Sequence, residues 1–385
     1  MIPELQHPDI GREFMPTRAK LLPTPSELIA LLDRRVIGQT AAKRSLAVAA
    51  YNHFLACARS DLQGGPVESG PVLLIGPTGC GKSFLLKTLR ECMGIPMIYV
   101  SCTSLTQNGY KGTNVNEVLE RLEAELLEDG QTQPAIVVWD EVDKLRELPQ
   151  HHPIASRGVQ QDLLTYFDGI LCGKSGQLDS SRLLNVACGA FVDLAQFRKR
   201  RNTPSQIGFL ATFEPVGPME SLEELTTQHL VDYGLIPEFV GRFSTVTELD
   251  PITPDTLRLI LCKADDSAMV QKMRLFELHG ISLEFSDNAI DEIVSQALAM
   301  RTGARSLKRI LERTLEGIVH RLPDMAAQGV ATIMIDAETV RGEKAALEKL
   351  SPEARHLNNR LYALRKHAGA YSRWKKKPDE EQLIW

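Results

Sequence analysis

The sequence predicts an α/β fold: a mostly parallel sheet covered by helices on both faces, followed by a smaller, mainly helical domain. Short apolar runs rich in β-branched residues recur at Val72–Ile75, Met97–Val100, Ala135–Trp139, Leu183–Ala187 and Phe243–Leu249, with helical stretches between them. Strands buried on both faces read as unbroken apolar runs, as these do, and that points to a parallel sheet. Beyond Pro251-Ile-Thr-Pro254 helical periodicity takes over at 254–275, 287–300 and 303–321, with strand-like pieces at Ile281–Phe285 and Ala331–Ile335.

Taken in order, residues 1–22 are proline-bearing and polar and read as a loose lead-in. Residues 23–250 form the large α/β domain, 251–340 the small domain, and 341–385 a basic extension with one amphipathic helix over about 351–368. A chain of 385 residues is long enough for two or three domains. Its net charge of −5 gives no overall basic field, so a nucleic-acid partner is not expected, although cations alternate with Tyr362, Tyr371 and Trp374 in the tail. The seven cysteines are dispersed without a Cys-x-x-Cys pair, so no zinc is expected and a reducing, cytoplasmic setting fits best. No apolar run approaches the length that spans a bilayer, so no membrane partner is expected.

The chemistry concentrates in two places. Gly76, Pro77, Thr78, Gly79, Cys80, Gly81, Lys82 and Ser83 fit G-x-x-x-x-G-K-[ST], directly after the strand Val72–Ile75 and before a helical run opening at Phe84. Glycines let backbone amides curl around phosphates, and the helix N-terminus favours negative charge. Lys82 is expected to neutralise the β- and γ-phosphates of ATP and Ser83 to ligate Mg²⁺. The second place is the strand Ala135–Trp139, which ends in Asp140 and Glu141. Ligands gather at the carboxyl ends of parallel strands. Asp140 is therefore expected to support Mg²⁺ through water, and Glu141 to polarise the attacking water.

Longer stretches resemble the ClpX-type AAA+ protein unfoldases from about Pro23 to Pro323. They are Pro23-Thr-Pro-Ser-Glu-Leu28, Val36-Ile-Gly-Gln-Thr-Ala-Ala-Lys-Arg44, Gly158-Val-Gln-Gln161, Gly189-Ala-Phe191, Gly234-Leu-Ile-Pro-Glu-Phe-Val-Gly-Arg242 and Thr302-Gly-Ala-Arg-Ser-Leu307. The resemblance implies that Val36 and Ile37 pack against the adenine. It also implies that Arg242 is an arginine finger reaching a neighbouring subunit's γ-phosphate, and that Arg305 senses nucleotide from the small domain, with a hinge near Leu249–Pro254. A finger supplied in trans implies a ring, a homohexamer in this family. Asn108-Gly-Tyr-Lys-Gly112 corresponds to the family's pore loop, making Tyr110 the aromatic grip on protein substrates. Lys111, before Gly112, replaces an apolar residue there. Ile207, Gly208 and Phe209 correspond to the loop that docks a ClpP-type peptidase, although the neighbouring residues also read as a buried strand. No cysteine precedes Cys57, so the family's zinc-binding front domain is expected to be missing.

The reading is an ATPase that threads proteins through a hexameric pore towards a ClpP-type peptidase. Two alternatives stay open: a remodelling chaperone with no peptidase, and a nucleotide-regulated assembly module.

Overall fold

A computed structural model describes residues 22–63, 70–105, 114–128, 130–147, 153–201, 225–265, 267–300 and 302–351. The chain divides into two compact units, one ending at Pro251 and the other beginning at Ile252.

The first unit opens with α1 (Pro25–Asp33), started by Thr24, whose hydroxyl accepts the Glu27 amide while the Glu27 carboxylate takes the Thr24 amide. Then come α2 (Thr40–Gln63), β1 (Val72–Ile75), α3 (Lys82–Met93), β2 (Met97–Ser101), α4 (Val115–Leu126), β3 (Leu127–Glu128), β4 (Gln131–Thr132) and β5 (Ala135–Asp140). The rest of the unit is α5 (Pro153–Phe167), β6 (Leu171–Cys172), β7 (Leu178–Asp179), β8 (Leu183–Gly189), α6 (Leu194–Arg201), α7 (Thr227–Tyr233), α8 (Pro237–Val240) and β9 (Thr245–Glu248).

Five strands form one sheet in the order β2-β5-β8-β1-β9, every pairing parallel. All four residues of β1 and all seven of β8 are buried, as continuous apolar runs require. The five expected strands are therefore those of the sheet, the last trimmed to Thr245–Glu248. Two small antiparallel hairpins, β3–β4 and β6–β7, form separate two-stranded sheets. Their strands are only two residues long, too short for alternation to announce them. The aromatic core sets Trp139 edge-to-face with Tyr166 at 5.4 Å between ring centres, stacks Phe167 on Phe239 at 5.8 Å and sets Phe239 edge-to-face with Phe243 at 5.2 Å.

The second unit holds α9 (Pro254–Lys263), α10 (Ala268–Glu277), β10 (Ser282–Phe285), α11 (Asp287–Ala299), α12 (Arg305–Gln328), β11 (Val330–Ile335), α13 (Ala337–Arg341) and β12 (Leu347–Leu350). Three differences from the sequence expectation have physical causes. The helix expected over 254–275 is two helices, because the Ser267 hydroxyl accepts the Val270 amide and starts α10 afresh. The helix expected to end at 321 continues to Gln328, through Pro323. An interior proline costs about 3 kcal/mol, but Leu322, Met325 and Ala326 are all buried in this unit's core and offset it. Finally, β12 pairs antiparallel with β11, so the small unit's sheet runs past residue 340, where the extension was expected to begin. All of its side chains are exposed, so no hydrophobic pattern marks it.

Candidate functional site

The phosphate loop is built at the end of β1. There the Gly76 amide donates to the Gly189 carbonyl of neighbouring β8 at 3.2 Å. A Cβ at Gly76 would sit 2.9 Å from both Cys80 Sγ and Leu249 Cβ, so only glycine fits this cradle. Gly79 and Gly81 have φ of +84° and +101°, the left-handed region that glycine adopts without strain. Gly81 caps α3 with no side chain, which leaves the helix's first amides free of a side-chain acceptor and directed at the loop. Lys82 Nζ donates to the Gly76 carbonyl and, at 3.1 Å, to that of Pro77. Pro77, Thr78, Ser83 and Phe84 are exposed, whereas Cys80 is buried and burial pushes its thiol pKa up. Loop and helix start together form a nest of amides with one cation, which suits a polyphosphate.

The acidic pair stands at the same edge of the sheet, at the end of β5. Asp140 Oδ1 accepts the Glu141 amide at 2.9 Å. Glu141 itself is exposed and left-handed, at φ 61° and ψ 34°. The thiol of Cys188, one strand over, lies within electrostatic reach of both sides of the cleft. Burial raises its pKa most, Asp140 raises it further, and Lys82 lowers it. The strand order and this shared neighbour bring the phosphate loop and Asp140 together around the end of β8.

A third wall comes from the turn between α1 and α2. Val36 is buried and Ile37 half-buried. Arg35 pairs with Glu91 of α3, and its guanidinium lies 6.0 Å from the Phe84 ring centre, so this turn is fastened to the phosphate-loop helix. Lys43, 4% exposed, is held by Asp33 at 2.5 Å. Gln39, left-handed at φ +57° and buried, spans from this turn to the phosphate loop, a role the sequence did not reveal.

The two arginines stand elsewhere. Arg242 follows α8, an exposed residue in a turn whose flanking aromatics, Phe239 and Phe243, are buried. Both its terminal nitrogens contact Asp168, each at 3.0 Å. The Ser244 amide donates to the Pro71 carbonyl at 3.0 Å, so Arg242 lies where β1 begins, while Lys82 lies beyond where β1 ends. Four residues of strand separate those edges, about 13 Å at ~3.3 Å per residue. Arg305 belongs to the second unit, exposed at the first position of α12. Tyr110, Lys111 and Gly112 lie outside the described residues, as do Ile207, Gly208 and Phe209.

Compared with known families, residues 68–246 match the AAA domain (Cdc48 subfamily) and residues 257–325 match the C-terminal, D2-small domain of ClpB protein. Over these two stretches the chain is similar to Clp/Hsp100-type AAA+ proteins. Such an AAA domain is an ATPase that uses nucleotide and Mg²⁺. The cradle at Gly76, the amides of α3 and Lys82 fit a bound nucleotide's phosphates. Among the described residues no three His, Cys, Asp or Glu side chains are grouped to hold a metal unaided, so a magnesium ion here would depend on phosphate oxygens as well as on protein. No described helix is long and apolar enough to cross a membrane.

Proposed function

We propose that this chain is one subunit of an ATP-driven homohexameric ring that unfolds protein substrates and threads them through its pore, delivering them to a ClpP-type peptidase. The Clp/Hsp100-type pairing of AAA and small domains supports ATP-driven protein remodelling. What carries the ring reading is the separation of Arg242 from its own phosphate loop. An exposed guanidinium at the opposite edge of the sheet has no route to that loop, but it faces outward, where an adjacent copy can bring its nucleotide.

Bound ATP supplies a phosphoryl group whose transfer to water releases the free energy of the cycle. Lys82 gives up the Gly76 and Pro77 carbonyls for the phosphates, and the first amides of α3 donate to them. The Ser83 hydroxyl and, through water, Asp140 hold Mg²⁺. Glu141, aimed by its left-handed backbone, accepts the proton of the attacking water. Arg242 of one copy leaves Asp168 for its neighbour's nucleotide. An exposed pair of this kind is worth only about 0–1 kcal/mol, so releasing it is cheap. Val36 and Ile37 form the apolar side of the base pocket, and Arg305 senses nucleotide from the small domain. Tyr110, with Lys111 and Gly112, grips the substrate, while Ile207, Gly208 and Phe209 dock the peptidase.

The deciding experiment is ATP-dependent unfolding of a tagged, stably folded substrate with and without ClpP, comparing wild type with Tyr110→Ala. Unfolding and degradation by wild type alone supports the proposal. Equal unfolding by both proteins removes the pore. Unfolding without degradation leaves the peptidase-free remodeller.

A further inference from the structure

We propose that Gln39 is a positioning residue of the nucleotide site, whose carboxamide splices the phosphate loop to the last backbone of the ATPase unit so that the two shift together. The geometry is that of a short ladder. Gln39 Nε2 donates to the Asp250 carbonyl at 2.9 Å, and the Asp250 amide donates back to Gln39 Oε1 at 2.8 Å. The second Nε2 hydrogen reaches the Cys80 carbonyl inside the phosphate loop at 3.3 Å. This pattern fixes which end of the amide is nitrogen, since a flipped side chain would set an oxygen against two carbonyls and an NH₂ against an N–H.

No other side chain meets all three demands. Glutamate offers no donor, lysine no acceptor, and asparagine is one methylene short. The anchor is firm, because the Gln39 carbonyl also accepts the Lys43 amide and starts α2. The residue is 6% exposed and holds φ +57° without being glycine, a strained position that persists only where its surroundings demand it. On the far side, the Leu249 amide donates to the Ile75 carbonyl at 2.7 Å, and Leu249 Cβ sits against the Gly76 cradle. Asp250 is thus tied to the loop from both directions, one residue before the unit ends at Pro251. Any movement of Cys80 as phosphate enters the loop pulls on the same carboxamide that holds Asp250.

The inference rests on the reading of Gly76–Ser83 as the nucleotide site, and the test separates the two. Amide hydrogen exchange is followed on the full-length chain with and without ADP. In wild type, ADP slows exchange in the 79–85 segment and slows the Asp250 amide by about tenfold. If ADP protects 79–85 but leaves Asp250 unchanged, the splice is wrong and the nucleotide site stands. If ADP protects neither, both fall. Gln39→Met keeps the volume and removes the polar atoms. It should bind ADP within about threefold of wild type yet lose the Asp250 protection, with kcat down about tenfold and KM within threefold. Retained protection at Asp250 in a folded Gln39→Met protein overturns the proposal. Should that variant not fold, the wild-type comparison decides alone.

Discussion

At the scale of single residues, the site depends on side chains aimed by unusual backbone. Glu141, directly after β5, has a left-handed conformation that costs a non-glycine residue about 1–3 kcal/mol. Glu141→Gln should keep ADP binding, read by calorimetry, while steady-state ATP turnover falls by about 10²-fold or more. A second residue-scale prediction concerns His53 of α2, 2% exposed. Burial lowers its pKa from 6.5 to about 4, the Arg182 carbonyl partly opposing and the Arg182 charge assisting. Because the folded pKa is depressed, the neutral ring's contribution is complete above pH 6.5 and is lost as pH falls from there to about 4. The loss is of order 3 kcal/mol at most, and urea unfolding from pH 7 to 4 should show it shrinking in His53→Gln. The positions of Lys82, Ser83, Asp140 and Glu141 at the start of α3 and the end of β5 were legible because motif spacing is local. Gln39 was not, because its partners at positions 80 and 250 are distant in sequence and are backbone atoms, which leave no trace in residue type.

At the scale of elements, what the sequence spells out is hydrophobic period, and what it hides is order imposed by polar contacts. The five sheet strands announced themselves, whereas β6–β7 is held by one buried carboxylate. Glu123 of α4 accepts the Ser175 hydroxyl at 2.6 Å and the Ser175 and Gln177 amides at 3.0 and 3.1 Å. Gly173 holds φ +87°, where any other residue is strained, and a Cβ there would also meet that carboxylate at 2.7 Å. The Ser175 hydroxyl first, then the backbone amides, hold the Glu123 pKa at about 2 against an ordinary 4.5. The anchor is therefore whole above pH 4.5 and released only as pH falls towards 2. Glu123→Ala should speed exchange of the Ser175 and Gln177 amides by about tenfold with the sheet amides unchanged. The break between α9 and α10 was hidden for a similar reason: apolar periodicity runs across it, and one serine cap outweighs the pattern.

At the scale of the whole molecule, the proposed ring makes each hydrolysis site a product of two chains. Arg242→Ala should lower turnover by about 10³-fold while leaving ADP affinity within a fewfold. Glu141→Gln should be inactive for a different reason, so equal mixing of the two inactive proteins should restore about a quarter of the sites, each joining an intact Glu141 to an intact Arg242 next door. No recovery in the mixture, under conditions where subunits exchange, would rule out a shared site. Fold class was legible at this scale because two successive periodicities mark two units, but the proposed assembly is suggested only by resemblance, since nothing in one chain's pattern records a second copy. The edge strand β9 gives this arrangement a mechanical meaning. Its beginning abuts the turn carrying Arg242, its end runs into Leu249 and Asp250 beside the Gly76 cradle, and it pairs with β1 along all four residues. In the proposed ring, such a strand would serve as a stiff connecting rod between consecutive cylinders, carrying a stroke at one nucleotide to the next without passing through the substrate.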